Sequence, residues 1–184
     1  MKALGLRGVV ALAALAAGLA PLRAVSSQDR SAELIEKLSY PRTIVVVRHA
    51  EKATEPVNDP ALSKEGAERA QRLAKMLAKA GVSQLFATEF QRTQATLLPL
   101  SLACGAKVEV APARDPGALA SAVDSLPRGS VAVVAGHSNT VGPIVGLLSG
   151  GATKVALDES EYDRMFVVTQ WGPEKQASVL ELRY

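Results

Sequence analysis

One stretch of the chain constrains the fold more than any other. Thr43–Val47 is a β-branched run that is followed directly by Arg48 and His49. Four consecutive apolar β-branched residues suit a strand that is covered on both faces of a sheet. The carboxyl end of such a strand lies at the edge where open α/β sheets bind their ligands. We therefore expect the arginine and the histidine at a ligand-binding edge.

A second predicted strand ends in the same way. Ser130–Ala135 is followed by Gly136 and His137, and the chain of 184 residues contains only two histidines. Both histidines thus follow predicted buried strands. If the two strands are parallel, their carboxyl ends share one edge of the sheet, and the imidazoles are expected to lie close together.

Strand and helix patterns alternate along the chain from residue 43. The predicted strands are Thr43–Val47, Gln84–Thr88, Lys107–Ala111, Ser130–Ala135, Met165–Gln170 and Ala177–Leu182. The predicted helices are Lys64–Ala80, Gln91–Cys104, Gly117–Leu126 and one that begins near Thr140. This alternation indicates an α/β fold, a three-layer α/β/α sandwich with a mostly parallel sheet. The last two strands are close enough for a hairpin, which makes one edge antiparallel.

Capping residues and prolines refine the helix boundaries. Ser63 is the predicted N-cap of the first helix. Pro99 predicts a kink in the second helix or its end at Leu98. Pro143 has no backbone N–H and is therefore expected in the first turn of the fourth helix, which places the cap at about Thr140.

The N-terminus has the composition of an export signal. Lys2 and Arg7 precede an uncharged apolar stretch, Gly8–Ala20, which is short for a membrane span. Residues 1–24 are predicted to be a Sec-type signal peptide cleaved after Ala24, with cleavage near residue 20 or an uncleaved anchor as alternatives. The protein is then exported to the periplasm or secreted.

The remaining chain divides into a lead-in, residues 25–40, with a weak helix predicted over Ser31–Leu38, and one domain, residues 41–184. Residues 25–184 carry 18 basic and 18 acidic side chains, so the excess positive charge belongs to the leader. This balance gives no reason to expect a nucleic acid partner or stable membrane association after cleavage.

Polar side chains follow three of the predicted strands. Arg48 and His49 follow the first strand, Thr88 and Arg92 the second, and His137 the fourth. Guanidinium groups match the geometry of phosphate oxygens, and a helix N-terminus beyond His137 adds backbone donors. The set predicts a phosphoryl-binding pocket in which a neutral imidazole acts as nucleophile and the arginines stabilise transferred negative charge.

Each of these residues also has a structural interpretation. A single histidine at a strand end is usually held by hydrogen bonds, and Arg48 alone could form a surface ion pair with Glu51. Two histidines could instead bind a metal ion with Glu51 or Asp59 as third ligand, but neighbouring arginines would repel a cation. We expect no metal and no cofactor. The acidic segment 158–161 is expected to be a solvated turn, with capping of the pocket as the alternative.

The motifs together resemble a known family. They are Arg48-His49-Ala50, Leu62-Ser63-Lys64-Glu65-Gly66, Thr88-Glu89-Phe90-Gln91-Arg92-Thr93 and Gly136-His137-Ser138-Asn139. In order and spacing, over about residues 43–183, they are similar to the histidine phosphatase superfamily, with its phosphoglycerate-mutase-like fold, and to the short phosphohistidine-phosphatase-like branch. The resemblance implies that His49 is the phosphorylated nucleophile and that Arg48, Arg92 and His137 bind the phosphoryl group, with Thr88 where the family usually has serine.

The proton donor is the weakest part of the resemblance. Larger members of the family carry an acidic donor after the third strand, where this chain offers only Asp115, which could equally cap the third helix. A site without a dedicated acid suits a good leaving group such as a phosphoramidate. We expect an exported, metal-independent phosphatase of a small phosphomonoester or phosphoramidate. A non-catalytic phospholigand-binding module and a phosphotransferase or mutase are the alternatives.

Overall fold

The computed structural model describes residue 31 and residues 40–172 and 176–184. The strands are β1 (Arg42–Arg48), β2 (Val82–Thr88), β3 (Val108–Ala111), β4 (Val131–Gly136), β5 (Arg164–Trp171) and β6 (Gln176–Arg183). The helices within these residues are α1 (Lys64–Leu77), α2 (Gln91–Cys104), α3 (Pro116–Asp124) and α4 (Ser138–Leu148). The signal peptide and the weak helix predicted in the lead-in fall outside the described residues, apart from Ser31.

The six strands form one sheet in the order β3-β2-β4-β1-β5-β6. β3, β2, β4 and β1 are parallel to one another, whereas β5 pairs antiparallel with β1 and β6 antiparallel with β5. The predicted fold class, with its antiparallel edge, is confirmed. Adjacent parallel strands β1 and β4 are in register from Thr43 opposite Val131 to Arg48 opposite Gly136.

The side chains of β1 alternate between two apolar layers. Ile44 and Val46 pack with α3 and α4, and Val45 and Val47 pack on the other face with α1 and α2. Because β1 is buried on both faces, nearly every residue in it is apolar, which explains the uninterrupted β-branched run. The helices cover both faces of the sheet and give the three predicted layers.

The start of α4 differs from the prediction. The helix begins at Ser138 with His137 as N-cap, so Pro143 lies in the second turn and not in the first. The reason is a hydrogen bond from the backbone N–H of His137 to the hydroxyl oxygen of Thr140, at 2.8 Å. Thr140 therefore supports the helix start from its third position and does not precede the helix.

The predicted helix Gln91–Cys104 is confirmed as α2, and the break at Leu98 that was the alternative is not formed. The helix continues through Pro99 to Cys104 and stops at Gly105, whose positive φ of 77° suits glycine. The start of α1 is as predicted, because the Ser63 hydroxyl accepts a hydrogen bond from the N–H of Gly66 at 3.1 Å. Within the described part of the chain, no helix is long and apolar enough to cross a membrane.

Candidate active site

The two histidines meet at the carboxyl edge of β1 and β4. The backbone N–H of His49 donates to the carbonyl oxygen of Gly136 at 2.8 Å, which extends the pairing of the two strands by one residue. The ring centroids of His49 and His137 are 5.3 Å apart, with an angle of 66° between the rings. Both side chains can therefore contact the same small ligand.

A cavity of about 500 Å³ opens above these rings. Its lining residues are Arg48, His49, Lys52, Phe90, Arg92, Ala113, Arg114, His137, Ser138, Asn139, Thr140 and Glu159. The lining thus includes four of the six predicted site residues, four cationic side chains and the first turn of α4. Amide groups in the first turn of a helix have no partner within the helix and favour anions.

The imidazole of His49 is held in one tautomer. Its Nδ1 lies 2.8 Å from the carbonyl oxygen of Ala50, and because a carbonyl only accepts, Nδ1 carries the proton. The N–H of Ala50 in turn donates to the hydroxyl oxygen of Thr96 at 2.9 Å. Nε2 of His49 therefore has its lone pair free for chemistry.

Burial keeps this imidazole neutral. Desolvation, with smaller contributions from the nearby charges of His137, Arg48 and Arg92, lowers the pKa of His49 to about 3. The side chain is 3% exposed yet lines the cavity. A neutral imidazole with a free Nε2 is the form that a nucleophile requires.

His137 contacts a threonine through one ring nitrogen and an arginine through the other. Its Nε2 is 3.0 Å from the hydroxyl oxygen of Thr88, and its Nδ1 is 3.5 Å from Nη2 of Arg92. A guanidinium only donates, so Nδ1 accepts and the proton lies on Nε2. Burial, followed by the charge of Arg92, lowers the pKa of His137 to about 4. The edge of its ring also packs against Phe90, with centroids 5.3 Å apart.

Thr88, predicted as a phosphate ligand, is not among the residues that line the cavity. Its buried hydroxyl lies between His137 and the hydroxyl of Thr93, which is 2.9 Å away. The backbone N–H of Thr88 also donates to the Thr93 oxygen at 3.1 Å. Thr88 is thus a positioning residue for the His137 imidazole.

Asp115 also lies outside the cavity, so the structure does not support its prediction as proton donor. Its Oδ1 accepts a hydrogen bond from the N–H of Ala118 at 2.8 Å and caps α3. The two interpretations that the sequence left open are therefore resolved in favour of the helix cap.

Arg92 reaches the cavity from the first turn of α2. Its guanidinium carbon lies 4.3 Å from the centre of the Phe90 ring, and Nη1 is 3.5 Å from Oδ1 of Asp59. Asp59 also accepts a hydrogen bond from the backbone N–H of Gln91 at 3.1 Å. These contacts fix the guanidinium beside His137, where it can bind a phosphoryl oxygen.

Arg48 has the most extensive set of contacts in the site. Its Nη1 donates to the carbonyl oxygens of Asp158, Glu159 and Glu161 at 3.0, 2.8 and 3.2 Å. Its Nη2 donates to Oε2 of Glu159 at 2.8 Å, and the guanidinium carbon lies 4.0 Å from the centre of the Tyr162 ring. Arg48 therefore binds the 158–162 segment, in addition to lining the cavity.

The ion pair considered between Arg48 and Glu51 is not formed. Glu51 binds Arg69 instead, with Oε1 2.6 Å from Nη2. Both carboxylates considered as metal ligands are thus paired with arginines, Glu51 with Arg69 and Asp59 with Arg92. Among the residues that the structure describes, no three His, Cys, Asp or Glu side chains could together hold a metal ion.

Comparison with known proteins agrees with this geometry. Residues 44–114 match the model of the histidine phosphatase superfamily (branch 1). Over this range the chain is similar to the histidine phosphatase superfamily. The matched range contains the Arg48-His49 motif and Arg92, and the structure adds His137 from β4. No curated protein gives a significant sequence match.

Several solved structures share the fold. The protein histidine phosphatase SixA, solved with tungstate, is 18% identical, with a TM-score of 0.64 over 77% of this chain and 96% of that one. A mycobacterial glucosyl-3-phosphoglycerate phosphatase is 13% identical, with a TM-score of 0.59 over 78% of this chain and 98% of that one. A protein described as mycobacterial hydrolase 2 is 15% identical, with a TM-score of 0.60 over 76% of this chain and 89% of that one. At these identities the likeness establishes the fold.

Proposed function

We propose that this protein is a member of the histidine phosphatase superfamily and hydrolyses a phosphoryl compound through a phosphohistidine on His49. One observation carries the proposal. The free Nε2 of a neutral, buried imidazole lies in an open cavity beside His137 and Arg92. A nucleophile and the cations that stabilise a transferring phosphoryl group are thus within reach of one phosphorus atom.

Ligands of the structural neighbours support an oxyanion at this position. The SixA structure is a complex with tungstate, and the glucosyl-3-phosphoglycerate phosphatase has also been solved with VO3. Tungstate is a tetrahedral oxyanion of similar shape to phosphate. The cavity of this chain, with four cationic side chains and a helix N-terminus, suits the same kind of group.

The reaction needs two steps. In the first, the Nε2 lone pair of His49 attacks phosphorus, the bond to the leaving group breaks, and the leaving atom keeps the electron pair and takes a proton from water. In the second, water attacks the phosphohistidine, the P–N bond breaks and Nε2 regains its lone pair. The water loses one proton to solvent and inorganic phosphate departs. Arg92, His137 and the α4 N-terminus stabilise the phosphoryl oxygens in both steps.

The leaving group is expected to need little acid catalysis. Glu159 is the only carboxylate among the residues that line the cavity. A hydrogen bond from Ser138 and the charge of Arg48 lower the pKa of Glu159, so it is ionised at neutral pH. An ionised carboxylate cannot donate a proton, which favours a phosphoramidate or another phosphoryl compound with a good leaving group.

Trapping of the intermediate tests this function. The protein is mixed with a radiolabelled phosphoramidate and denatured in alkaline detergent, because the phosphohistidine bond survives base and breaks in acid. We expect label on the wild type, no label and no turnover for His49→Ala, and slower labelling for His137→Ala, which keeps the nucleophile. Label retained by His49→Ala would contradict the proposal.

Two controls separate the alternatives and test metal independence. Turnover of an aryl phosphate, which needs little acid assistance, should persist in excess EDTA. Complete inactivity towards it would favour a phospholigand-binding module. Release of phosphate without an added acceptor would argue against a phosphotransferase or mutase.

We also propose that residues 1–24 direct export. The support is the sequence alone, with Lys2 and Arg7 before an apolar stretch. N-terminal sequencing of the protein from an envelope fraction should begin at Val25. An intact N-terminus in the cytosolic fraction would overturn this proposal.

A further inference from the structure

We propose that the Glu159 carboxylate occupies an oxyanion position of the cavity and must be displaced by each phosphoryl ligand. The inference rests on the proposed function and extends it, because it identifies the residue that sets the affinity for substrate and for product phosphate. The acidic 158–161 segment is then part of the site and not only a solvated turn.

The contacts of the Glu159 carboxylate are those expected of a bound anion. Oε2 accepts from Nη2 of Arg48 at 2.8 Å, and Oε1 accepts from the hydroxyl of Ser138 at 2.5 Å. Arg48 belongs to β1 and Ser138 is the first residue of α4. The carboxylate thus bridges a guanidinium and a helix N-terminus at the cavity wall. Both groups typically donate hydrogen bonds to phosphate.

The backbone beneath Glu159 is anchored independently of its side chain. Nη1 of Arg48 binds three carbonyl oxygens of the segment, and the N–H of Asp158 donates to Oε2 of Glu161 at 2.9 Å. Arg164 adds bonds to the carbonyl oxygen of Ala156 and to Glu161. The segment can therefore stay in place when the carboxylate leaves.

The side chain itself is free to move. The Glu159 side chain is 81% exposed, although its partner Arg48 is 1% exposed. An exposed carboxylate in an ion pair contributes little to stability, so little free energy opposes its exchange for another anion. A phosphoryl oxygen can then take Nη2 of Arg48 and the Ser138 hydroxyl, while Nη1 continues to hold the backbone.

This exchange has a consequence for turnover. Inorganic phosphate leaves a site in which cations surround it, and strong binding would inhibit the enzyme. When the phosphate departs, the Glu159 carboxylate replaces it on Arg48 and Ser138, so neither donor is left unpaired. Glu159 is therefore expected to weaken the binding of oxyanions and to favour product release.

Equilibrium binding of tungstate tests the inference on the full chain, by calorimetry and without turnover. Glu159→Gln keeps the shape and removes the charge; its amide oxygen can still accept from Arg48, and its amide nitrogen can donate to the Ser138 hydroxyl. Asp158→Asn is the matched control, since it removes one charge from the adjacent residue, whose side chain does not line the cavity. We expect Glu159→Gln to lower the tungstate Kd by about fourfold, and Asp158→Asn to change it by less than about 1.5-fold.

Other outcomes would overturn the inference. An unchanged or higher Kd for Glu159→Gln, or an equal gain for Asp158→Asn, would show that Glu159 does not compete for the site. Failure of the proposed function can be told apart from failure of this inference. If Glu159→Gln binds tungstate more tightly but the protein forms no phosphoenzyme, Glu159 still competes with oxyanions, and catalysis through His49 is excluded.

Discussion

The two imidazoles of the site carry their protons on opposite nitrogens. His49 donates from Nδ1 to a backbone carbonyl, whereas His137 accepts at Nδ1 from Arg92 and donates from Nε2 to Thr88. In each ring, one nitrogen thus donates a hydrogen bond that fixes the ring, and the other nitrogen faces the site. This division suits different roles, with Nε2 of His49 as nucleophile and His137 with Arg92 as partners for the phosphoryl oxygens.

The Thr88 hydroxyl gives the first prediction. Thr88→Val keeps the shape of the side chain but removes the acceptor for His137, so we expect kcat to fall about tenfold with a smaller change in KM. Thr88→Ser keeps the hydroxyl and should restore most of kcat. Steady-state kinetics with an aryl phosphate measures both variants. A serine variant as slow as the valine variant would indicate a packing role only.

At the residue scale, the sequence predicted those site residues that follow buried strands directly. Arg48, His49 and His137 line the cavity because β1 and β4 are parallel neighbours and end at the same edge. Thr88 also ends a strand, but its side chain points behind His137. The direction of one short side chain at a strand end depends on local hydrogen bonds, which no periodic pattern encodes.

Glu159 and Tyr162 were beyond the reach of the sequence. They belong to a segment with no helical or strand period, and it is held at the site by one buried arginine. The sequence predicted a solvated acidic turn, with capping of the pocket as the alternative, and gave no reason to single out either residue. The 158–162 segment is more than 100 residues away from Arg48 along the chain, and the two come together only in the folded protein.

At the scale of elements, close backbone contacts hold the loops of the site against the helices. A Cβ atom added at Gly142 in α4 would lie 2.2 Å from the carbonyl oxygen of Val155. At Gly66 in α1 it would lie 2.1 Å from the carbonyl oxygen of Glu51. Both contacts fix segments that continue into cavity residues. Glycine is required at these two positions for close approach and not for an unusual backbone conformation.

Gly142 gives the second prediction. Gly142→Ala must push the Val155 backbone away, so we expect the free energy of unfolding to fall by about 2 kcal/mol. Gly146→Ala is the matched control in the same helix, because a Cβ there would meet only an ordinary contact of 3.9 Å with Thr153. That variant should gain up to about 1 kcal/mol from reduced chain entropy. Urea denaturation measures both, and equal effects would contradict the argument.

The elements themselves were largely predictable. Strand and helix types were right throughout the described residues, since buried β-branched runs and amphipathic patterns reflect the core directly. The predictions that differ from the structure concern helix boundaries and the effects of prolines. The start of α4 was misplaced because its capping hydroxyl lies inside the helix, and Pro99 did not end α2 because the surrounding packing outweighs the loss of one hydrogen bond.

At the scale of the whole molecule, charge is distributed unevenly. Residues 25–184 carry equal numbers of basic and acidic side chains, yet the cavity gathers four cations and one carboxylate. Such a site attracts anions locally without making the protein basic. Burial of two neutral imidazoles in this positive environment also links the stability of the fold to pH.

The direction of this link follows from the two histidine pKa values. In the folded protein the pKa is about 3 for His49 and about 4 for His137, against about 6.5 in an unfolded chain. Between these values the unfolded state binds protons that the folded state does not. The two neutral imidazoles therefore make their full contribution to the free energy of unfolding well above pH 6.5. That contribution decreases as the pH falls through 6.5 towards the folded-state pKa values.

We expect the free energy of unfolding to decrease by about 2 kcal/mol between pH 7 and pH 5.5, with both histidines contributing about equally. The pKa values of Glu51 and Glu159 are lowered, so these two carboxylates stay ionised across this window. Urea denaturation at the two pH values measures the difference, and His137→Gln should halve it. Equal stability at both pH values in the wild type would show that the imidazoles take up protons as freely in the folded site as in water.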